Sequence, residues 1–410
     1  MNAIDRPSDF PARNKPKGIQ AFLLANILKH LHWGSLRLIT PDGQVLDFCG
    51  TEPGVHAELR ITHWRFARKV LQGAEIGFAE CYRDGLFETP DLTALLAVLS
   101  NNYLALEEAI PLGKWIMRMQ RRMHYFKKNT RQGSRRNIHA HYDLGNDFYQ
   151  EWLDPSMTYS SALFSEAQDT DCLTSAQIAK YDHILDRLNL AAGAHILEVG
   201  CGWGGFAEHA AQSRQIQVTA ITISQEQYAF AKARIKAAGL EHLVNIQFID
   251  YRDVPGQFDG VVSIEMFEAV GEEFWPIYFR TLKERLKPGG QAVIQTITIS
   301  EEKFDLYRRT TDFIREFIFP GGLLPSPTRF VQEAQHAGFT EAGRRSFGHD
   351  YAETLRRWRD SFDRAGHKVK TLGFDDRFQR LWRFYLTYCE VGFDMRFTDV
   401  SQFHLLANEH

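Results

Sequence analysis

The sequence predicts an α/β fold: a doubly wound, mostly parallel, seven-stranded Rossmann-like sheet, preceded by a smaller N-terminal α+β domain. Three observations carry this. From Ser175 onward, short apolar runs alternate with stretches of helical period. One run, Ile196 to Val199, passes directly into the glycine-rich turn Gly200 to Gly205 and then into the helical stretch Phe206 to Ala211. That strand–turn–helix unit places a ligand at the carboxyl edge of an open sheet. Finally, 410 residues, 44% hydrophobic and 24% charged, suffice for two ordinary globular cores.

Residues 1–18 are polar and proline-containing, lack the apolar core of a signal peptide, and are expected to be disordered. Ala21 to Leu28 is interrupted by Asn26 and is far shorter than the roughly 20 residues a membrane span needs. A cytoplasmic protein is therefore expected. The five cysteines, Cys49, Cys81, Cys172, Cys201 and Cys389, are odd in number and scattered, as in a reducing compartment.

Residues 19–110 read as the small α+β domain. Ile19 to Leu31 has helical spacing; Leu36 to Thr40 and Val45 to Phe48 form a hairpin about Asp42-Gly43. Alternation resumes in Ala57 to Thr62, and Phe66 to Gln72 and Leu92 to Leu106 read as helices. No catalytic constellation stands out there, which leaves packing, substrate delivery or membrane contact as its work.

Residues 111–136 read as a basic amphipathic linker helix. Nine Lys or Arg residues fall between Lys114 and Arg136 with no Asp or Glu, and Trp115, Met119, Met123 and Phe126 recur at helical spacing. Three readings fit: a helix on an anionic membrane, a solvated interdomain helix, and a nucleic-acid patch. The apolar face places membrane ahead of nucleic acid, and the net charge of −3 supplies no global attraction to either.

Residues 137–410 read as the catalytic domain. His139 and His141 lack a third ligand nearby, so hydrogen-bonding histidines are expected rather than a metal. After a helix from Ser175 to Leu190 come strand 196–199, a helix to Gln212, strand Gln217 to Ile223, helix Ser224 to Ala238 and strand Asn245 to Phe248. Strand Gly260 to Ile264, helix Glu273 to Leu286 and strand Gln291 to Thr298 follow. Long helices are expected over Tyr351 to Arg364 and Asp375 to Phe393, with a last strand from Ser401 to Leu406.

The glycine loop ends without the Gly-Lys-Ser/Thr of a triphosphate site. Glu198-Val-Gly-Cys-Gly-Trp-Gly204 resembles the first motif of S-adenosylmethionine-dependent methyltransferases; a tight turn with glycines for packing alone is the plain alternative. Further motifs narrow the resemblance: His141 to Phe148, Tyr159-Ser160, Asp250 to Asp253, Met266-Phe-Glu268, Phe319 to Pro325 and Phe347 to Tyr351. In this order they resemble the cyclopropane fatty acid synthase family, including its mycolic acid methyltransferase relatives. The N-terminal domain is similar to that of longer members, which the resemblance associates with intact membrane phospholipids.

The resemblance implies transfer of the sulfonium methyl of S-adenosylmethionine to the cis double bond of an unsaturated phospholipid acyl chain, and loss of a proton as a cyclopropane closes. It implies a cofactor site of Tyr159, Ser160, Gly200, Cys201, Gly202, Trp203, Gly204, Thr222, Ile223 and Gln227, with Tyr251 and Arg252 flanking the adenine. It implies a bound bicarbonate as base, held by the side chains of Glu268 and Tyr351 and by backbone groups of Ser161 and Ile297. It is compatible with peripheral contact with the inner membrane face and with a homodimer.

Two positions depart from the family pattern. Ser161 stands where many members have cysteine, and Gln295 where they have histidine. Glutamine donates a hydrogen bond but does not titrate near neutrality. A displaced base would let the cation lose a different proton, giving a methyl-branched unsaturated chain without a ring. Cys389, at a position once assigned to a nucleophile, reads as pocket lining, since the carbocation route needs none. Phe384, Tyr385 and Tyr388 on the same helix either line an acyl tunnel or fill core.

Overall fold

The computed structural model describes residues 16–109 and 144–408. Residues 1–15, the basic stretch at 111–136, and His139 and His141 lie outside the described residues. Two compact units result. The first contains 16–109 with 309–316 and 369–395; the second contains 144–308, 317–368 and 396–408. The expectation that everything after residue 136 belongs to one domain is thus corrected for two segments. Their partners explain it: Phe384 packs 4.9 Å from Phe313, 5.8 Å from Tyr82 and 6.2 Å from Phe78, and Arg377 pairs with Asp84 at 2.6 Å.

The first unit carries a four-stranded sheet of β1 (Trp33–Ile39), β2 (Val45–Cys49), β3 (Glu52–Ile61) and β4 (Phe87–Glu88), in the order β2-β1-β3-β4. β1 and β2 form the expected hairpin, with Gly43 at φ +79° in its turn. The helix expected to stop at Gln72 continues from Arg65 to Arg83 through a break at Ala74, whose φ of 45° is unfavourable for a residue with a Cβ. Asn102 pins this unit. Its Oδ1 accepts from the backbone N–H groups of His32 (2.6 Å) and Trp33 (3.0 Å), and its Nδ2 donates to Trp33 O (2.9 Å) and Val98 O (2.8 Å).

The second unit carries β5 (His195–Val199), β6 (Gln217–Thr222), β7 (Val244–Phe248), β8 (Phe258–Ile264), β9 (Leu286–Ile299), β10 (Phe339–Ser346) and β11 (Thr398–Ala407). Their order is β10-β11-β9-β8-β5-β6-β7. β5 to β9 are parallel, and β10 and β11 are antiparallel additions at one side. Strands covered by helices on both faces bury nearly every side chain, which is why they read as continuous apolar runs. One face is filled by Phe206, Ala207, Ala210 and Ile235, the other by Phe267, Trp275, Phe279 and Phe330.

Helix Pro327–His336 and the place of the seventh strand, β10, are not legible in the sequence pattern. Beyond buried Phe339, β10 alternates half-buried and exposed residues and carries Arg344 and Arg345, so it lacks the apolar run of the central strands. The strand order reverses between β5 and β8, so the loops leaving these neighbours splay apart and open a crevice.

Replacing Asn102 by alanine leaves two part-buried N–H groups and two carbonyls without this partner. We expect a loss of about 1–3 kcal/mol, read from the urea midpoint, with amide exchange accelerated first around residues 32–33.

Candidate active site

The glycine turn leaves β5 at Gly200, Gly202 and Gly204, with φ of +85°, +52° and +82°. Two of these positions also lack room. A Cβ on Gly200 would lie 2.9 Å from the Met266 side chain, which leaves β8, and one on Gly204 would lie 3.1 Å from Ala231. The N–H groups of Gly200 and Cys201 both bond Ile221 O, fixing the loop to β6. Gly204 caps helix Gly205–Arg214 without any side-chain acceptor.

Beneath the loop, Glu198 is buried and its Oε2 has no hydrogen-bond partner. Burial pushes this carboxyl up to about 8, against the pull of Lys180. A buried acceptor at a glycine-rich strand end fits the ammonium group of a bound amino acid, such as the methionine part of S-adenosylmethionine. That orphaned oxygen and the open glycine backbone are the observations by which the residues present fit the cofactor.

Around the loop, Trp203 Nε1 donates to Asn146 at 2.7 Å, and its ring lies 4.9 Å from Tyr149. Tyr159 sits among Tyr149, Trp152 and Trp358 at 5.3–5.6 Å. Ser160 is held from below: Lys180 Nζ donates to its hydroxyl at 2.6 Å, and Gln177 Nε2 to its carbonyl at 2.9 Å. Lys180 is fully buried, and burial lowers it to about 7. Neither Lys180 nor Gln177 was singled out from sequence; two polar residues on the inner face of a helix were the available signal.

At the end of β6, the Thr222 hydroxyl donates to Gln227 Oε1 at 2.9 Å, while Ser224 caps the next helix. Gln227 is buried rather than exposed, and Ile223 lies beside it half-buried. At the end of β7, Arg252 is fully engaged by Asp250 through contacts of 2.8 and 2.7 Å, with its guanidinium 5.3 Å from the Tyr251 ring. Arg252 is thus a brace for the third strand end. The buried Asp250 is what orients it.

The other wall of the crevice holds two carboxylates. Glu268 Oε1 accepts from Ile297 N at 2.6 Å and Thr296 Oγ1 at 2.9 Å, whereas its buried Oε2 has no partner. Burial, then the charge of Glu265, pushes Glu268 up to about 8. Glu265, which sequence reasoning missed, receives three donors: Ser161 N at 2.8 Å, Gln295 Nε2 at 2.7 Å and the Tyr351 hydroxyl at 2.6 Å. Gln295 is oriented in turn by Gln402, whose Nε2 donates to Gln295 Oε1 at 2.9 Å, and Gln402 Oε1 is met by His183 Nδ1.

This arrangement bears on bicarbonate. Of the groups expected to hold it, Ser161 N and the Tyr351 hydroxyl are bound to Glu265, and Ile297 N to Glu268. A further anion beside two carboxyl groups would lack donors, so the donor set does not fit bicarbonate. Cys389 does not belong to the unit that holds the glycine turn and the carboxyl pair. It lies in the first unit, on helix Asp376–Asp394, and burial raises its thiol far above the ordinary range, the opposite of a poised nucleophile. Phe384 on the same helix fills the first unit's core. Among the described residues no cluster of side chains suits a metal ion.

Fold and site together define a methyltransferase of the class that uses S-adenosylmethionine. The family model described as mycolic acid cyclopropane synthetase matches residues 128–403, and the chain belongs to that family. It is 40% identical over 348 residues to the tuberculostearic acid methyltransferase UfaA1 of Mycobacterium tuberculosis, covering 83% of this chain and 81% of the relative. To the cyclopropane-fatty-acyl-phospholipid synthase of Escherichia coli it is 34% identical, covering 83% and 85%. The solved mycolic acid cyclopropane synthase CmaA1, complexed with SAH and CTAB, superposes with a TM-score of 0.62 at 31% identity, covering 66% of this chain and 98% of that one.

The carboxyl pair predicts a pH dependence. Glu268 holds its proton in the folded state to about 8 but only to the ordinary 4.5 when unfolded, so its effect on stability is a penalty that grows as pH rises between those values. The fall in urea midpoint from pH 5 to pH 8 should therefore be shallower in Glu268→Gln than in the parent protein. An equal slope would mean that Glu268 ionises normally.

Proposed function

We propose that this protein transfers the methyl group of S-adenosylmethionine to the cis double bond of unsaturated phospholipid acyl chains and releases a methyl-branched unsaturated chain rather than a ring. The observation that carries the choice of product is the convergence of Ser161, Gln295 and Tyr351 on a protein carboxylate, which changes the identity and position of the base from that implied by the family pattern. The name of the 40% identical relative, a tuberculostearic acid methyltransferase, supports the same reading.

When bound, S-adenosylmethionine would supply the electrophile: the alkene π pair forms the new C–C bond, the C–S bond breaks toward sulfur, and S-adenosylhomocysteine and a carbocation at the former double bond result. The protein's residues do the rest. Gly200 to Gly204 and Glu198 seat the amino-acid portion, and Tyr159 and Trp203 bring aromatic faces to the edge of the crevice. A single negative charge shared unequally by Glu265 and Glu268 faces the developing positive charge, where a fixed charge stabilises most. Glu268, tending to remain protonated, lowers the repulsion that two ionised carboxylates would suffer.

Ring closure is the second reading, favoured by the relationship to a cyclopropane-fatty-acyl-phospholipid synthase. Contact with the membrane surface belongs to either reading, since the substrate chains reside there; no helix among the described residues is long and apolar enough to cross a membrane. The basic stretch between Lys114 and Arg136 supplies charge for such contact.

The test uses vesicles of cis-monounsaturated phospholipid, methyl-labelled S-adenosylmethionine, and mass spectrometry of the acyl chains before and after mild hydrogenation. The expected labelled product takes up hydrogen. A labelled product that resists hydrogenation establishes the ring instead, and the absence of labelled lipid counts against both.

A further inference from the structure

Glu265 is the first residue beyond β8 and holds φ at +50°, a left-handed backbone conformation normally left to glycine. For a side chain with a Cβ this conformation is strained, because the Cβ crowds the following carbonyl oxygen. The backbone is locked there from the adjacent strand, since Glu265 N donates to Gln295 O at 2.8 Å. Strain of this kind persists where the surroundings over-determine it, and it collects at working sites. Here it aims a carboxylate into the crevice at the reversal of strand order, beside the glycine turn.

The environment of Glu265 is built for an anion. Ser161 N comes from the segment before helix Leu173–Leu188, the Gln295 amide from the adjacent strand β9, and the Tyr351 hydroxyl from helix Gly348–Arg364. Ser161 and Gln295 are fully buried. The Gln295 amide cannot turn its oxygen toward Glu265 without losing its bond from Gln402, whose own orientation is fixed by His183. Burial raises the Glu265 carboxyl above its ordinary range, and the Tyr351 hydroxyl, the charge of Lys180, Ser161 N and the Gln295 amide draw it back. Glu268, with donors on one oxygen only, lacks such support. The proton of the pair therefore belongs on Glu268 and the charge on Glu265.

We propose that Glu265 is the catalytic base of this enzyme, a carboxylate of the chain itself standing in the donor cradle that the family resemblance assigns to bicarbonate. The proposal rests on the C-methylation reading above. After methyl transfer, Glu265 accepts a proton from a carbon next to the cationic centre. The electron pair of that C–H bond becomes the new C=C bond, the cation is discharged, and the protonated Glu265 returns its proton to water once the product leaves. The base is attached to the backbone at a strained residue and cannot follow the transferred methyl group as a small anion can. That favours loss of a proton from the chain over closure of a ring.

Two substitutions separate the base from the scaffold. Glu265→Gln keeps the shape and removes the basicity; Glu265→Gly relieves the backbone strain and vacates the cradle. Labelled-methyl transfer to cis-monounsaturated phospholipid vesicles is measured in carbonate-free buffer and with added bicarbonate, and binding of carbon-13 bicarbonate is read separately by NMR. The parent protein should be indifferent to bicarbonate and bind none. Glu265→Gln should lose roughly 10²–10⁴-fold in rate without rescue, while retaining S-adenosylmethionine binding. Glu265→Gly should bind bicarbonate and recover activity with it.

A parent protein that binds bicarbonate or needs it overturns the assignment, as does a Glu265→Gln variant that keeps its rate. A parent protein that binds no bicarbonate and methylates no lipid overturns the function proposed above, and with it the role of Glu265 as base, while its place as occupant of the cradle stands.

Discussion

Burying charge is the constraint on which the catalytic unit depends. Glu198, Glu265, Glu268 and Lys180 gather around one strand-end crevice where water is largely displaced, and each must either gain donors or lose its charge. The fold settles these demands differently from place to place. Glu265 receives three donors from three separate elements. Glu268 receives two on one oxygen and is pushed toward the neutral form. Glu198 keeps one oxygen without a partner, and Lys180 donates hydrogen bonds to Ser160 and Gln177. The crevice thus reaches neutral pH with its charges unevenly shared, a state suited to a sulfonium on one side and a carbocation on the other.

That distribution relies on the sheet. Parallel strands β5 and β8 end side by side where the winding reverses, so Gly200 and Glu265 follow neighbouring strands. The positive φ of each serves opposite ends. At Gly200 the absence of a side chain lets Met266 approach; at Glu265 a side chain is kept despite the conformation. Two left-handed residues on adjacent strand ends therefore make one floor open and one wall charged.

Much of this was legible in the chain. β5 to β9 and their helices announce themselves because strands covered on both faces are apolar throughout. β10 and helix Pro327–His336 are hard to read because an edge strand with one wet face and two arginines carries a weaker signal, and the helix at Arg65–Arg83 reads as ending at Gln72 because local propensity cannot foresee a break that tertiary packing tolerates. In the site, the glycine turn, Glu268 and Tyr351 could be named from motifs. Glu265 could not. In Ile264-Glu265-Met266 it reads as an ordinary polar residue ending a strand, and its meaning comes from a φ value and from donors 104, 30 and 86 residues away.

The two departures from the family pattern then become one adjustment. A histidine opposite a free anion can share its proton; a glutamine opposite a tethered carboxylate need only donate, and a neutral amide fixed by Gln402 does so without competing for the proton that Glu265 is there to accept. Ser161 contributes through its backbone N–H, so the loss of a thiol leaves its function at this position unchanged. On this view Gln295 is not a weakened histidine. It is the partner that a carboxylate attached to the chain requires, and the pair Glu265–Gln295 should be read as a unit: Gln295 alone would leave a buried donor unmatched, and Glu265 alone would keep only the two donors of Ser161 and Tyr351.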